Sequence, residues 1–506
     1  MNNQEDKNEV NYYLKLLVKS SFFILIASII SKLASYGYKI LIARYLGAEI
    51  YGLFSLALIV ISLVSSIAVL GLGDGLVRYV SFYRGKKQFG KLNRLIISSK
   101  KIFLTTGIIS AIALILFAPL IAEKIFHSDK FTPIIRGMAM AMPFLLLSNL
   151  YLGILKGFEK IKIYSSLVNI YQNSARFILL GLLLLIGFDL KAISISYVVV
   201  FIGLFLISRS YANKNLINLP DQKIPPSKKV MPEVLRYSWP LIFVGILYSI
   251  FYWIDSLFLG YLTNAENVGL YNAAVTLVAL FSIAPDLFMQ LFFPLIAVKF
   301  SEGKKEIIRK LTQQVTKWIY LLNIILFLLL FLFADKWITI LFGEEFLVST
   351  NILRILVVGA LFSGVVGIST NLISIKGKTK LTLLDFTIFA LVNIALNALL
   401  IPPYGMVGAA VATLTTQVAF AITLVLQVRK LYGFNPIISI RKRMSAIFVG
   451  FLIAGTYLVR NQLSILMTIF FSILISTLYL TSLYFFKLFD DEDLKIFRSI
   501  INKIKR

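Results

Sequence analysis

Ala48-Glu49-Ile50-Tyr51-Gly52-Leu53-Phe54 returns 217 residues later as Ala265-Glu266-Asn267-Val268-Gly269-Leu270-Tyr271. Each copy opens an apolar run of membrane-spanning length. A second segment, Val80-Ser81-Phe82-Tyr83-Arg84-Gly85-Lys86-Lys87, returns as Val298-Lys299-Phe300-Ser301-Glu302-Gly303-Lys304-Lys305. A third, Lys156-Gly157, returns as Lys376-Gly377. Matching glycines gives offsets of 217, 218 and 220 (269−52, 303−85, 377−157). Three matches in order at nearly one spacing mark two copies of one unit.

Composition says what kind of unit. Of 506 residues, 58% are hydrophobic and 15% charged, and the mean hydropathy is +0.86. A soluble domain keeps roughly a quarter of its residues charged, so this composition points to a polytopic membrane protein. Cysteine is absent and His127 is the single histidine. Disulfides, thiolate metal sites and multi-histidine sites are thereby excluded, and no metal or cofactor is expected. The net charge of +27 is read through the positions of its lysines and arginines.

About 20 apolar residues cross the hydrocarbon as a helix. Fourteen spans are expected, near 18–43, 50–73, 101–122, 136–156, 163–187, 191–208, 237–261, 268–297, 316–334, 352–375, 381–401, 405–428, 443–460 and 463–486. Phe386 to Val428 is twice too long for one crossing, and Pro402-Pro403-Tyr404-Gly405 at its middle marks a tight hairpin. Connections after even-numbered spans are rich in lysine and arginine, such as Arg84, Lys86, Lys87, Lys91 and Arg94 after span 2. Odd-numbered connections are short and poor in them. Positive loops stay in the cytoplasm, so both termini are expected there, in a cell (plasma or inner) membrane. The charge is then mainly a topology signal, and no nucleic-acid partner is expected. Glu5, Asp6 and Glu9 precede the first apolar run, and Lys32 and Lys39 interrupt it, which reads as a retained span. From Leu494 onward, Leu494, Phe497, Ile500, Ile501 and Ile504 share a helical face, the pattern of an interfacial tail.

Spans 1–6 and 7–12 are the two copies. An even number of spans gives both copies one orientation, a parallel repeat about an axis along the membrane normal. The expected organisation is an N-terminal six-helix lobe (1–215), a cytoplasmic linker (216–236) and a second six-helix lobe (237–430). Residues 431–506 then hold an appended hairpin, spans 13 and 14, and the tail. Six plus six plus two spans resemble the multidrug/oligosaccharidyl-lipid/polysaccharide exporter superfamily, which has the MATE-like all-α fold. Arg44-Tyr45-Leu46-Gly47-Ala48-Glu49-Ile50-Tyr51-Gly52 and Gly153-Ile154-Leu155-Lys156-Gly157-Phe158-Glu159-Lys160 are similar to its polysaccharide-unit (Wzx-type) flippase branch. That resemblance implies translocation of a polyprenyl-pyrophosphate-linked glycan from the inner to the outer leaflet. Its partners would be the lipid-linked glycan, membrane lipids and glycan-assembly enzymes.

A charge inside the bilayer is expensive, so one that persists normally faces a wet cavity or a partner. Lys32 and Lys39 fall with Ser28, Ser35 and Tyr36 on one stripe of span 1; snorkelling to a headgroup layer is the plainer alternative. Asp255 in span 7 corresponds by the repeat to residue 38 or 39, so a Lys39–Asp255 pair across the two-fold arrangement is expected. A position near an outer mouth is the alternative for Asp255. Asn169, Asn173 and Arg176 in span 5, and Asp385, Asn393 and Asn397 in span 11, are spaced for one face each. Arg176 is the better cavity candidate, because membrane asparagines more often bond neighbouring helices. Pro285-Asp286 in span 8 suggests a hinge or coupling site. Asp74 and Arg78 read as a local ion pair, Arg136 and Arg354 as snorkelling side chains, and His127 as solvated. Lys32, Lys39 and Arg176 would meet an anionic phosphate.

A drug or cation antiporter of the same superfamily needs carboxylates in its N-terminal bundle. Span 1 offers lysines instead, while Asp255 and Asp286 keep that reading open. A flippase for lipid-linked peptidoglycan precursors shares the architecture. A membrane glycosyltransferase or polymerase would need sizeable outer loops, and the longest, near 123–135 and 335–351, are small; a transporter rather than an enzyme is expected. Lys376-Gly377-Lys378-Thr379 lacks the upstream glycine of a phosphate loop, since residue 372 is leucine. Sodium or proton gradients, or substrate supply and removal, remain as driving forces.

Overall fold

A computed structural model of the chain describes residues 3–217, 230–437, 450–451, 454–455 and 464–485. Among these, every regular element is a helix. A segment in hydrocarbon must close its backbone hydrogen bonds internally, which apolar helices do. The helices are α1 (Asn3–Ala68), α2 (Leu72–Gly85), α3 (Phe89–Lys124), α4 (Phe131–Ala139), α5 (Met142–Gly157), α6 (Ile161–Ser165), α7 (Gln172–Leu185) and α8 (Leu190–Ile217). They continue with α9 (Val230–Leu262), α10 (Ala265–Val278), α11 (Ile283–Ser301), α12 (Lys305–Leu332), α13 (Ala334–Leu341), α14 (Ser349–Ala360), α15 (Ser363–Ile375), α16 (Thr379–Tyr432) and α17 (Ile465–Phe485). Among the described residues nine helices are long and apolar enough to cross a membrane, or ten if the bent pair α4–α5 is one span. Two of them hold two expected spans each. α1 breaks at Gly47 (φ 82°, ψ 174°) and α16 at Gly405 (φ 54°, ψ −131°), conformations open to glycine and strained for other residues. Residues 218–229 of the linker, nearly all of the expected span 443–460 and the amphipathic tail lie outside the described residues.

The Pro402–Gly405 hairpin forms as expected. Beyond it the two arms of α16 run antiparallel, joined by Phe386 and Phe389 on Phe420 (centroids 5.1 Å apart in both cases) and by Gln427 Nε2 donating to Asp385 Oδ1 at 2.9 Å. Asn393 Nδ2 lies 3.4 Å from Thr416 Oγ1. Asn393 thus bonds a neighbouring helix, and Asn173 does the same in the first copy.

Residues at positive φ show the repeat in the backbone. Lys87, His127, Glu159 and Gly187 recur as Gly303, Gly343, Gly377 and Gly405, offset by 216, 216, 218 and 218. Three of the second-copy positions therefore carry glycine where the first copy carries a side chain. This corrects the register: Gly303 corresponds to Lys87 rather than Gly85, and Gly377 to Glu159 rather than Gly157. Helix ends dictate this backbone geometry, whereas a match of residue types such as Gly-Lys-Lys can sit two positions away from it.

The chain packs as two compact units, Ile30–Asn272, and Met1–Ile29 with Ala273–Arg506. The lobes divide the chain by repeat and the units divide it by contact, so residues 237–272 belong to the second copy yet pack with the first. Within the Ile30–Asn272 unit, Gly71 and Gly75 bring α2 onto α9. A Cβ at Gly71 would fall 2.0 Å from the Ser238 carbonyl oxygen, and one at Gly75 2.0 Å from its hydroxyl. In the same unit the segment Ala48–Gly52 lies directly on its own copy. A Cβ at Gly52 would stand 1.7 Å from the Ala265 carbonyl oxygen, and one at Gly269 1.9 Å from that of Ala48. Small residues let membrane helices approach this closely, and the reciprocity is that of a local two-fold. Tyr51 adds a hydrogen bond to the Asn272 carbonyl at 3.3 Å.

Two arginines make contacts that their sequence positions do not announce. Arg136 Nε donates to the Ile115 carbonyl at 3.2 Å. Four residues beyond Ile115 stands Pro119, which has no amide to give that oxygen. Arg354 Nε donates to the Phe331 carbonyl, also at 3.2 Å, where α12 ends at Leu332 and leaves its last carbonyls open. Different helix breakers in the two copies thus receive the same repair, an arginine Nε on an open carbonyl. Asp74 and Arg78 form no ion pair. The Arg78 guanidinium instead lies 4.0 Å from the Tyr237 ring centroid, a partner from α9 that sequence spacing could not supply. His127 is exposed, as expected.

Candidate functional site

The polar layer of the Ile30–Asn272 unit is built by α1, α7 and α8. Gly37 sets the first contact: a Cβ there would be 2.7 Å from the Phe177 ring, so the glycine lets that ring of α7 lie close against α1. Asn173 Nδ2 donates to Ser31 Oγ at 2.8 Å, tying α7 to α1. The Tyr38 hydroxyl lies 3.4 Å from Ser196 Oγ, tying α1 to α8. Before α7 the backbone passes through a π-helical turn, Ser166–Tyr171, a rare feature that often marks functional segments.

Arg176 sits at the centre of this layer, three residues along α7 from Asn173. Its guanidinium carbon is 4.8 Å from the Tyr197 ring centroid and 4.9 Å from that of Phe201. The two rings are one helical turn apart on α8, edge to face at 4.9 Å. Ring faces attract a cation, by about 2 kcal/mol or more when it is desolvated, yet they leave its charge uncancelled. Arg176 has no ion pair with a described carboxylate, and its Nε is fully buried without a hydrogen-bond partner. A guanidinium so held can take a phosphate oxygen pair in its fork.

The remaining candidates fall as follows. Lys32 and Lys39 are half-buried on α1, and each has an interaction partner. Asp255 accepts a hydrogen bond from the Tyr271 hydroxyl at 2.7 Å. At the repeat offset of 217 this pair corresponds to Tyr38 and Phe54, whose rings meet edge to face at 5.6 Å. Asp255 is therefore the counterpart of Tyr38, and Lys39 that of Ser256. Ser256 is held by Asn272 Nδ2 at 3.0 Å. In the other unit, Pro285 is buried and Asp286 exposed in the first turn of α11, just after a 3-10 turn at Ala279–Ser282. An acid suits a helix N-terminus. Tyr38, Ser196, Tyr197 and Phe201 were missed in the sequence. The i, i+4 aromatic pair Tyr197/Phe201 was the available signal, hidden among 24 tyrosines and 41 phenylalanines.

The chain is thus an all-helical, multi-pass membrane protein built on an internal repeat, with a cation held among its helices. The solved structure of lipid II flippase MurJ in its inward closed conformation has the same fold, with a TM-score of 0.71, 18% identity, and coverage of 92% of this chain and 98% of that one. The family model described as "Polysaccharide biosynthesis protein" matches residues 17–298, more than half of the sequence, and the chain belongs to that family. A second model, MatE, matches residues 240–399. Among curated relatives, the "Putative O-antigen transporter" of Shigella flexneri is 22% identical over 381 residues, 73% of this chain and 88% of that protein. The "Probable low-salt glycan biosynthesis flippase Agl15" of Haloferax volcanii is 26% identical over 212 residues, 42% of this chain and 44% of that protein.

Proposed function

We propose that the chain is a flippase that carries a polyprenyl-(pyro)phosphate-linked saccharide from the cytoplasmic to the outer leaflet by alternating access. Arg176 carries this reading. It is a cation inside membrane helices, cushioned by Tyr197 and Phe201 and unneutralised by any described carboxylate. Such a group favours an anionic headgroup and repels a cationic drug. Membership of a polysaccharide biosynthesis family and relatives named for O-antigen and glycan transport support the same cargo. Lys32 and Lys39, on the helix that contacts α7 and α8, extend the cationic path, while the alkyl tail stays in lipid. Both termini and the lysine-rich loops lie in the cytoplasm, and glycan-assembly enzymes deliver the substrate there.

The test is flipping by reconstituted protein of a panel of lipid-linked saccharides, lipid-linked peptidoglycan precursor included, with imposed sodium or proton gradients. Arg176→Gln should lower flipping at least tenfold, and Arg176→Lys should recover part of it. Full flipping by Arg176→Gln would overturn the assignment. Transport of an organic cation in place of any lipid-linked sugar would establish the antiporter instead.

A further inference from the structure

At the lysine-rich end of the α16 hairpin, in the unit containing Ala273–Arg506, lies an open crevice of about 730 Å³. Lys378 and Lys380 stand on one side, at the start of α16, and Lys430 on the other, near its end. Leu381, Leu384 and Leu431 supply its apolar walls. Other groups fix its shape. Lys376 donates to the Leu431 carbonyl and lies 5.1 Å from the Tyr432 ring centroid, while the Tyr432 hydroxyl donates to the Leu372 carbonyl at 2.8 Å. Lys376 is thereby committed to structure. Lys378, Lys380 and Lys430 are exposed and have no ion pair with a described residue.

Along the chain, almost no acid accompanies them. Asp385 is the single acidic residue between Glu345 and Asp490. It is 4% exposed, and its Oδ1 is taken by Gln427. The first copy differs. There Glu159 occupies the backbone position of Gly377 and pairs with Arg84, so that loop carries its own counter-charge. The second copy has glycine in its place. Topology alone asks for lysines in such a loop; it does not ask that they ring one leucine-walled crevice from both ends of a hairpin.

The crevice also opens onto a surface suited to hydrocarbon. Leu384, Ile388 and Leu391, spaced four and three, are exposed along one arm, and Leu426 and Ile422 along the other. Ammonium groups at the mouth and an exposed aliphatic stripe beyond it match a ligand with a phosphate head and alkyl chains. We propose that this crevice holds the phosphate headgroup of an anionic glycerophospholipid, from the leaflet on the lysine-rich side, with an acyl chain along the Leu384–Leu391 stripe. The site is separate from the Arg176 layer and requires only that the chain sit in a bilayer.

The test uses the full chain in nanodiscs of phosphatidylcholine with graded phosphatidylglycerol, reading retained lipid by native mass spectrometry and the thermal midpoint in parallel. Wild type should retain phosphatidylglycerol over phosphatidylcholine and gain midpoint with it. K378Q/K380Q/K430Q should weaken that retention at least tenfold, and the single reversal K430E should weaken it in the same direction. K86Q/K87Q/K91Q, in another basic loop, should leave it intact, and inorganic phosphate should neither bind nor stabilise. Equal retention by the crevice variants, or an equal loss in the other loop, would refute the site. Displacement of phosphatidylglycerol by equimolar undecaprenyl phosphate would overturn the assignment to a glycerophospholipid and give the crevice to the transported substrate.

Discussion

Replacing Gly52 with alanine tests the tightest glycine contact among the described residues. The added methyl would lie 1.7 Å from the Ala265 carbonyl oxygen, where ordinary contact begins at 3.4 Å. α1 and α10 must therefore part by on the order of 1.7 Å, because the obstacle is backbone and cannot swing aside. Overpacking a close contact costs about 1–3 kcal/mol, and a backbone obstacle places this change near the upper value. For a unit of this size, Ile30–Asn272, about 3 kcal/mol corresponds to a fall of roughly 6–12 °C in the unfolding midpoint. Gly269→Ala makes the reciprocal clash, 1.9 Å from the Ala48 carbonyl, and should cost about as much. The decisive measurement is the double variant. One separation relieves both clashes, so Gly52→Ala/Gly269→Ala should lie close to either single change, far from their sum. Thermal unfolding of the four proteins in one detergent gives the cycle. An unchanged midpoint for Gly52→Ala, or additive losses in the double variant, would refute the reciprocal packing.

Arg136→Leu should destabilise the chain by about 0.5–1.5 kcal/mol, by removing the donor to the Ile115 carbonyl; in a Pro119→Ala background, where an amide returns to that oxygen, the same change should cost much less, and equal losses in both backgrounds would disprove the repair. The expected Lys39–Asp255 pairing predicts that Lys39→Asp/Asp255→Lys recovers more flipping than either single change, and additive losses in the same reconstituted assay would rule it out. Glu302, in the turn after α11, is held below its usual 4.5, first by the hydrogen bond from Lys299 (2.7 Å) and further by Lys304 (3.4 Å). A lowered folded value gives stability that is present above 4.5 and lost as pH falls through the folded value. Amide protection around residues 299–308, taken as exchange relative to the intrinsic rate at each pH, should therefore fall as pH drops below about 4.5 in wild type and show no such step in Glu302→Gln.

The apolar runs, the hairpin at Pro402–Gly405, the internal repeat and the family were all legible in the chain, because they depend on local composition and on spacing along one backbone. A run long enough to cross hydrocarbon has few alternatives to a helix, and a repeated segment declares its copy. Arg176 could be singled out, since an arginine there must find a partner or water. What only the tertiary structure decided is who that partner is. Tyr197 and Phe201 come from another helix, and nothing in their spacing says that they face Arg176. The same limit explains Arg136, Arg354 and Arg78. Each looked free or paired to a sequence neighbour, yet each is taken by a carbonyl or a ring that packing brings from elsewhere. Register within the repeat was decided by where helices end and turn left-handed, a property of the backbone that lysine, histidine and glutamate in the first copy share with glycine in the second.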